Sequence, residues 1–187
     1  MTTLVSAWHL AESTAEAAAT VPSMTKSVKR VRFEAAASAM TAGHPIEAML
    51  PSIFEQDAQV AAYLVSIAKK ESNWGERAPQ KKGKDCFNYW GFTGEGSRGF
   101  ALGHGCFGSR EEAVTTVADR IHALIYTQKR ATPRQMIVWT CGYSCVGHSK
   151  ESVEKWIADV GYYQAQLQTK KKPLQQAVVL TTNQEAF

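Results

Sequence analysis

The chain has 187 residues, 44% hydrophobic and 10% aromatic, which suits one domain with a core plus appended tails and excludes a disordered chain. Its net charge of +4 and pI near 8.9 are compatible with an anionic polymer such as bacterial wall or nucleic acid, but too weak to nominate either. No apolar run approaches membrane-spanning length.

Residues 1–42 are rich in Ala, Ser and Thr. Helix is expected over Ala11 to Thr20 and over Val31 to Met40. Neither segment has a strong apolar face, so a loosely packed N-terminal arm is predicted. Met1 to Leu10 lacks the charged start and long apolar run of a signal peptide. The folded domain is expected over residues 43–168. It opens at His44-Pro45, with Pro at the first helical position. Ile46, Met49, Leu50 and Ile53 form the stripe there, and Pro51 should kink or shorten the segment.

The next stretch, Ala58 to Glu71, contains no Gly or Pro. Val60, Leu64, Ile67 and Glu71 follow at steps of 4, 3 and 4, so they share one helical face. That face is apolar until its last position, which is a carboxylate. An acid held against an apolar wall near a helix C-terminus keeps its proton to higher pH. A general acid working near neutrality needs this property. The plainer reading is a solvated glutamate at a helix end.

Residues 75–85 read as a polar loop, with Arg77, Lys81, Lys82 and Lys84 making it basic. Such a loop is either simply solvated or holds an anionic wall polymer. Residues 86–107 are rich in Gly and aromatics and read as a β-hairpin. Alternation would place Phe87 and Tyr89 on one face and Asn88, Trp90 and Phe92 on the other. Gly94, Gly96 and Gly99 permit the reversal. The four cysteines fall into two local pairs, which predicts two disulfides and an oxidising compartment. A Cys86–Cys106 bridge would close the hairpin base and stabilise it by roughly 3 kcal/mol on the chain-entropy model. Aromatic faces of this kind stack on sugar rings, and the Asn88 amide suits acetamido groups. Alternatively, they pack a hairpin that lacks its own core.

Ser109-Arg110-Glu111-Glu112 matches a capping box. Ala113, Val117, Ile121, Leu124 and Ile125 form the buried stripe of the helix behind it. Thr132-Pro133 opens a short helix with Met136, Ile137 and Trp139. The Cys141 to His148 loop offers three zinc-type ligands at an unusual spacing. A Cys141–Cys145 disulfide is preferred, and no metal or cofactor is assigned. Ser149 caps a last helix with Val153, Trp156, Ile157 and Val160. Residues 169–187 form a basic tail with no assigned function.

Glu71-Ser72-Asn73-Trp74-Gly75, Asn88-Tyr89-Trp90-Gly91-Phe92 and Phe107-Gly108-Ser109 occur in that order. Together they resemble the lysozyme-like endo-β-N-acetylglucosaminidases and the related lytic transglycosylases, which cleave peptidoglycan glycan strands. Trp156 to Leu167 looks like that family's closing motif, and the resemblance spans about residues 44–168. It implies an α+β, mainly α fold: a lysozyme-like helical domain with a small disulfide-closed β-hairpin flanking the cleft. It implies Glu71 as general acid, with Glu95 as the tentative second carboxylate and Asp85 as the other choice. Trp74, Asn88, Tyr89, Trp90 and Phe92 become candidate substrate contacts. The family has a Tyr lining its site where this chain has Ile157, so Tyr162 and Tyr163 are the candidate substitutes. The expected partner is peptidoglycan or a related N-acetylated glycan, with no nucleic acid and no integral membrane segment, and the protein itself is expected to be a monomer. The expected location is extracytoplasmic. With no signal peptide visible, either the export signal lies upstream of Met1, or export is unconventional, or the cysteines are reduced. The alternative function is a catalytically inactive glycan- or wall-binding module on the same fold.

Overall fold

The computed structural model describes residues 15–168, with side chains from residue 28 onward. The expected basic tail lies outside the described residues. Among them the chain is mainly helical, with two small antiparallel sheets and two disulfides, an α+β arrangement dominated by helix. No helix among them is long and apolar enough to cross a membrane.

Helix α1 spans Ala15–Thr41. Residues 28–41 do not form the loose arm expected for them. Phe33 and Ala37 are buried, Ala36 and Met40 pack against the core, and Phe33 meets Phe54 edge-on at 6.1 Å. The stripe is narrow, with Ala36, Ala37 and Thr41 beside Phe33 and Met40. It therefore carries little hydrophobic signal in sequence, yet small side chains let the helix approach its neighbours closely. A 3-10 turn at Pro45–Met49 leads into α2, Leu50–Phe54. Pro51 lies in the first turn of α2, so the break falls where a proline is tolerated.

Helix α3, Ala58–Ser72, is the axis of the fold. Asp57 caps it by accepting from the amides of Gln59 and Val60 at 2.9 and 3.3 Å. Every residue from Val60 to Ala68 is buried. The sequence pattern marks one apolar face, but the helix is enclosed on all sides, as expected of a central helix. Its interior polar groups are satisfied internally: Ser66 Oγ donates to Ala62 O at 2.7 Å, and Tyr63 OH to Ala131 O at 3.0 Å. Helix α4, Arg110–His122, and helix α6, Lys150–Gln168, pack against α3. Between them lie a π-helical turn at Ala123–Thr127, a 3-10 turn at Gln135–Ile137 and α5, Val138–Cys141.

The segment from 75 to 107 differs from its expectation. Part of the presumed loop pairs as β1, Gln80–Lys81, with β2, Lys84–Asp85. A second hairpin pairs β3, Phe100–Ala101, with β4, His104–Gly105. Both reverse through two left-handed residues, Lys82-Gly83 and Leu102-Gly103, with φ of 52° and 71°, and 52° and 79°. That is the pattern of type I′ turns. Residues 86–99 are not a strand. Asn88, Tyr89 and Trp90 are buried in succession, which period-two alternation cannot produce. The Cys86–Cys106 disulfide ties this segment to the second hairpin, and Cys141–Cys145 closes a short loop before α6.

Candidate active site

Each residue of the Glu71 to Gly75 string has a distinct physical role. Asn73 ends α3 in a left-handed conformation, its amide bonding to the carbonyls of Ala68 and Lys69. Trp74 is also left-handed, at φ 58°, which turns its indole back beneath the helix. There Nε1 donates to Val65 O at 2.9 Å. Ser72 Oγ lies 2.7 Å from Tyr89 O and accepts the Gly75 amide at 2.8 Å. A Cβ at Gly75 would stand 2.8 Å from the Tyr89 ring and 2.9 Å from Pro45, so only glycine fits. The string thus locks the end of α3 against the 88–92 segment, and Glu71 sits at that junction.

Glu71 is half-buried. Its Oε1 accepts a 2.7 Å hydrogen bond from Trp156 Nε1 on α6. Its Oε2 lies against Gly91, where a Cβ would come within 3.3 Å. Gly91, at φ 65°, therefore lets the backbone pass close over the carboxyl. Burial raises the pKa of Glu71, while the Trp156 N–H, the Lys70 ammonium and His104 pull it partly back.

Two depressions meet at this side chain. The larger, about 470 Å³, is lined by Glu71 together with Arg77, Gln80, Asn88, Leu102 and His104, among others. This lies within the roughly 300–1,000 Å³ usual for small-ligand sites. The smaller, about 250 Å³, is lined by Glu71, Lys70, Thr140, His148, Ser152 and Lys155, with Val153 and Trp156. Among the described residues, Glu71 is the only carboxylate lining either one.

The remaining sequence candidates are placed very differently. Glu95 lines neither depression, and its carboxylate lies over Gly99 near Lys81. Asp85 is occupied, accepting from Tyr89 OH at 2.8 Å and from the Phe87 amide at 2.7 Å. Trp74, Tyr89 and Trp90 are core residues rather than sugar platforms. The Trp90 indole donates to Leu64 O at 2.7 Å, a backbone acceptor on α3. Asn88 borders the larger depression, but its amide is committed to Phe92 O, Gly105 O and the Phe92 amide. Phe92 stacks on Phe107 at 6.1 Å and stands 6.2 Å from Trp139. Tyr163 packs on Trp74, and Tyr162 is 59% exposed. Neither lines either of these two depressions. Cys141 and Cys145 are joined to each other, which leaves no thiolate for a metal.

Several lining residues escaped the sequence reading: Leu102 and His104 on the second hairpin, Gln80 on the first, and Trp156 as the partner of Glu71. Trp156 falls on the apolar stripe of α6 and reads there as core; only the fold turns its N–H towards the acid. No family model, curated protein or solved structure matches the chain.

Proposed function

We propose that this chain cleaves the β-1,4 glycosidic bonds of peptidoglycan strands in an extracytoplasmic compartment, with Glu71 as its single acid. One observation carries the reading: a half-buried carboxyl whose pKa burial raises, one oxygen anchored by Trp156, sits where two depressions meet. The two disulfides fit an oxidising location.

Since no second carboxylate among the described residues lines the site, the mechanism that fits best uses Glu71 twice. Its carboxyl gives a proton to the glycosidic oxygen as the C1–O bond breaks. The resulting carboxylate then takes the proton from the C6 hydroxyl of the same sugar as O6 bonds to C1. The product is an anhydro sugar, and Glu71 regains its proton. The absence of a second carboxylate also supports the other reading, a glycan-binding module without turnover.

Product analysis after digestion of purified cell walls separates these outcomes. Wild type is expected to release fragments with anhydro ends, and Glu71→Gln to lose about 10²–10⁴-fold in rate. Equal release by both proteins would remove Glu71 from the chemistry. Binding without fragments would establish the module reading.

A further inference from the structure

The larger depression has features that protonating a glycosidic bond does not require. Leu102 sits at the tip of the second hairpin and lines the depression while 85% exposed. Its backbone is left-handed, at φ 52°, in a turn position that favours Asn, Asp or Gly. A leucine there is strained and gains almost nothing from burial, so folding does not account for it. Arg77 lines the same depression from the connection after α3. Its backbone is fixed, with the amide bonded to Ser72 O at 2.9 Å, and its side chain is exposed. Gln80 adds an exposed carboxamide from β1. An apolar tip, a guanidinium and an amide thus surround one space beside Glu71.

Resting on the glycan-cleavage reading, we propose that this half of the cleft is a subsite for a short acidic peptide attached to the sugar next to the scissile bond. Arg77 receives the carboxylate, whose planar geometry matches its fork. Leu102 covers a small apolar side chain, and Gln80 pairs with peptide amides. The chain therefore distinguishes peptide-bearing strands from bare N-acetylated glycan.

The test uses the full chain carrying Glu71→Gln, so that bound strands persist. Its affinity is measured for soluble peptide-bearing strands and for the same strands stripped of peptide. Peptide-bearing strands are expected to bind about tenfold tighter. Arg77→Gln, or Leu102→Asn, should bring that ratio towards one. Asn accepts the left-handed backbone more readily than Leu, so Leu102→Asn is not a folding lesion. Equal affinity for the two strands, loss of both affinities in parallel in the variants, or binding of neither strand would overturn the subsite. Failure of the cleavage reading looks different: wild type would bind the peptide-bearing strand selectively and leave it intact.

Discussion

Burial drives the Glu71 carboxyl towards its neutral form, and the strongest opposing contact is a single N–H from Trp156. That N–H favours the ionised state, so removing it should push the Glu71 pKa further up. Trp156→Phe tests this. An activity that needs protonated Glu71 falls as pH rises through its pKa, so the alkaline limb of the pH–rate profile should move to higher pH in the variant. A cost of about 1–3 kcal/mol in stability is expected as well, because a buried oxygen loses its donor. An alkaline limb that stays in place would mean that another group sets it. At this scale the half-buried position of Glu71 was legible in sequence, because it continues the apolar stripe of α3 at helical spacing. The aromatics were not. Trp74 and Trp90 look like exposed platforms until their indole N–H groups are seen to find Val65 O and Leu64 O. Trp90 lies 26 residues from its acceptor, beyond the reach of any local pattern.

Among elements, α3, α4 and α6 were legible because their stripes repeat over several turns, whereas the weak stripe of α1 hid its packing. The hairpins were not, since strands of two residues are too short to show a period. Their order comes from tertiary ties. The Glu112 carboxylate accepts from the amides of Gly108 and Ser97 and from Ser97 Oγ, linking the start of α4 to the connection before β3. The Arg98 guanidinium donates to Asp85 O at 2.8 Å, joining the two hairpin regions. The Cys86–Cys106 bridge is the covalent member of this set, and both cysteines are fully buried. Replacing both with alanine should cost about 3 kcal/mol, read as a lower denaturant midpoint. It should also weaken glycan binding, because Gly91, Leu102 and His104 all sit on the segments it fastens. Unchanged stability would show that the hydrogen bonds alone hold the hairpins.

For the molecule as a whole, the position of Glu71 has a cost in stability that depends on pH. A carboxyl whose folded pKa lies above its unfolded value binds more protons in the native state, so stability falls as pH rises between the two values. Above the folded pKa the full cost of holding a buried charge is present, and below the unfolded pKa it is absent. Glu71→Gln removes that cost while keeping an oxygen for Trp156. The variant should therefore melt higher than wild type at pH 8. The gain should shrink towards zero as pH drops to 4, where both side chains are neutral. The enzyme reading adds a second half: the same substitution that stabilises the fold should slow cleavage by about 10²–10⁴-fold, the trade expected where function depends on a destabilised group. Melting curves of the two proteins across pH decide the first half without any substrate. A variant that melts lower than wild type at every pH would show that the Glu71 carboxylate is stabilised by its surroundings rather than strained by them, and the argument for a poised acid would lose its physical basis.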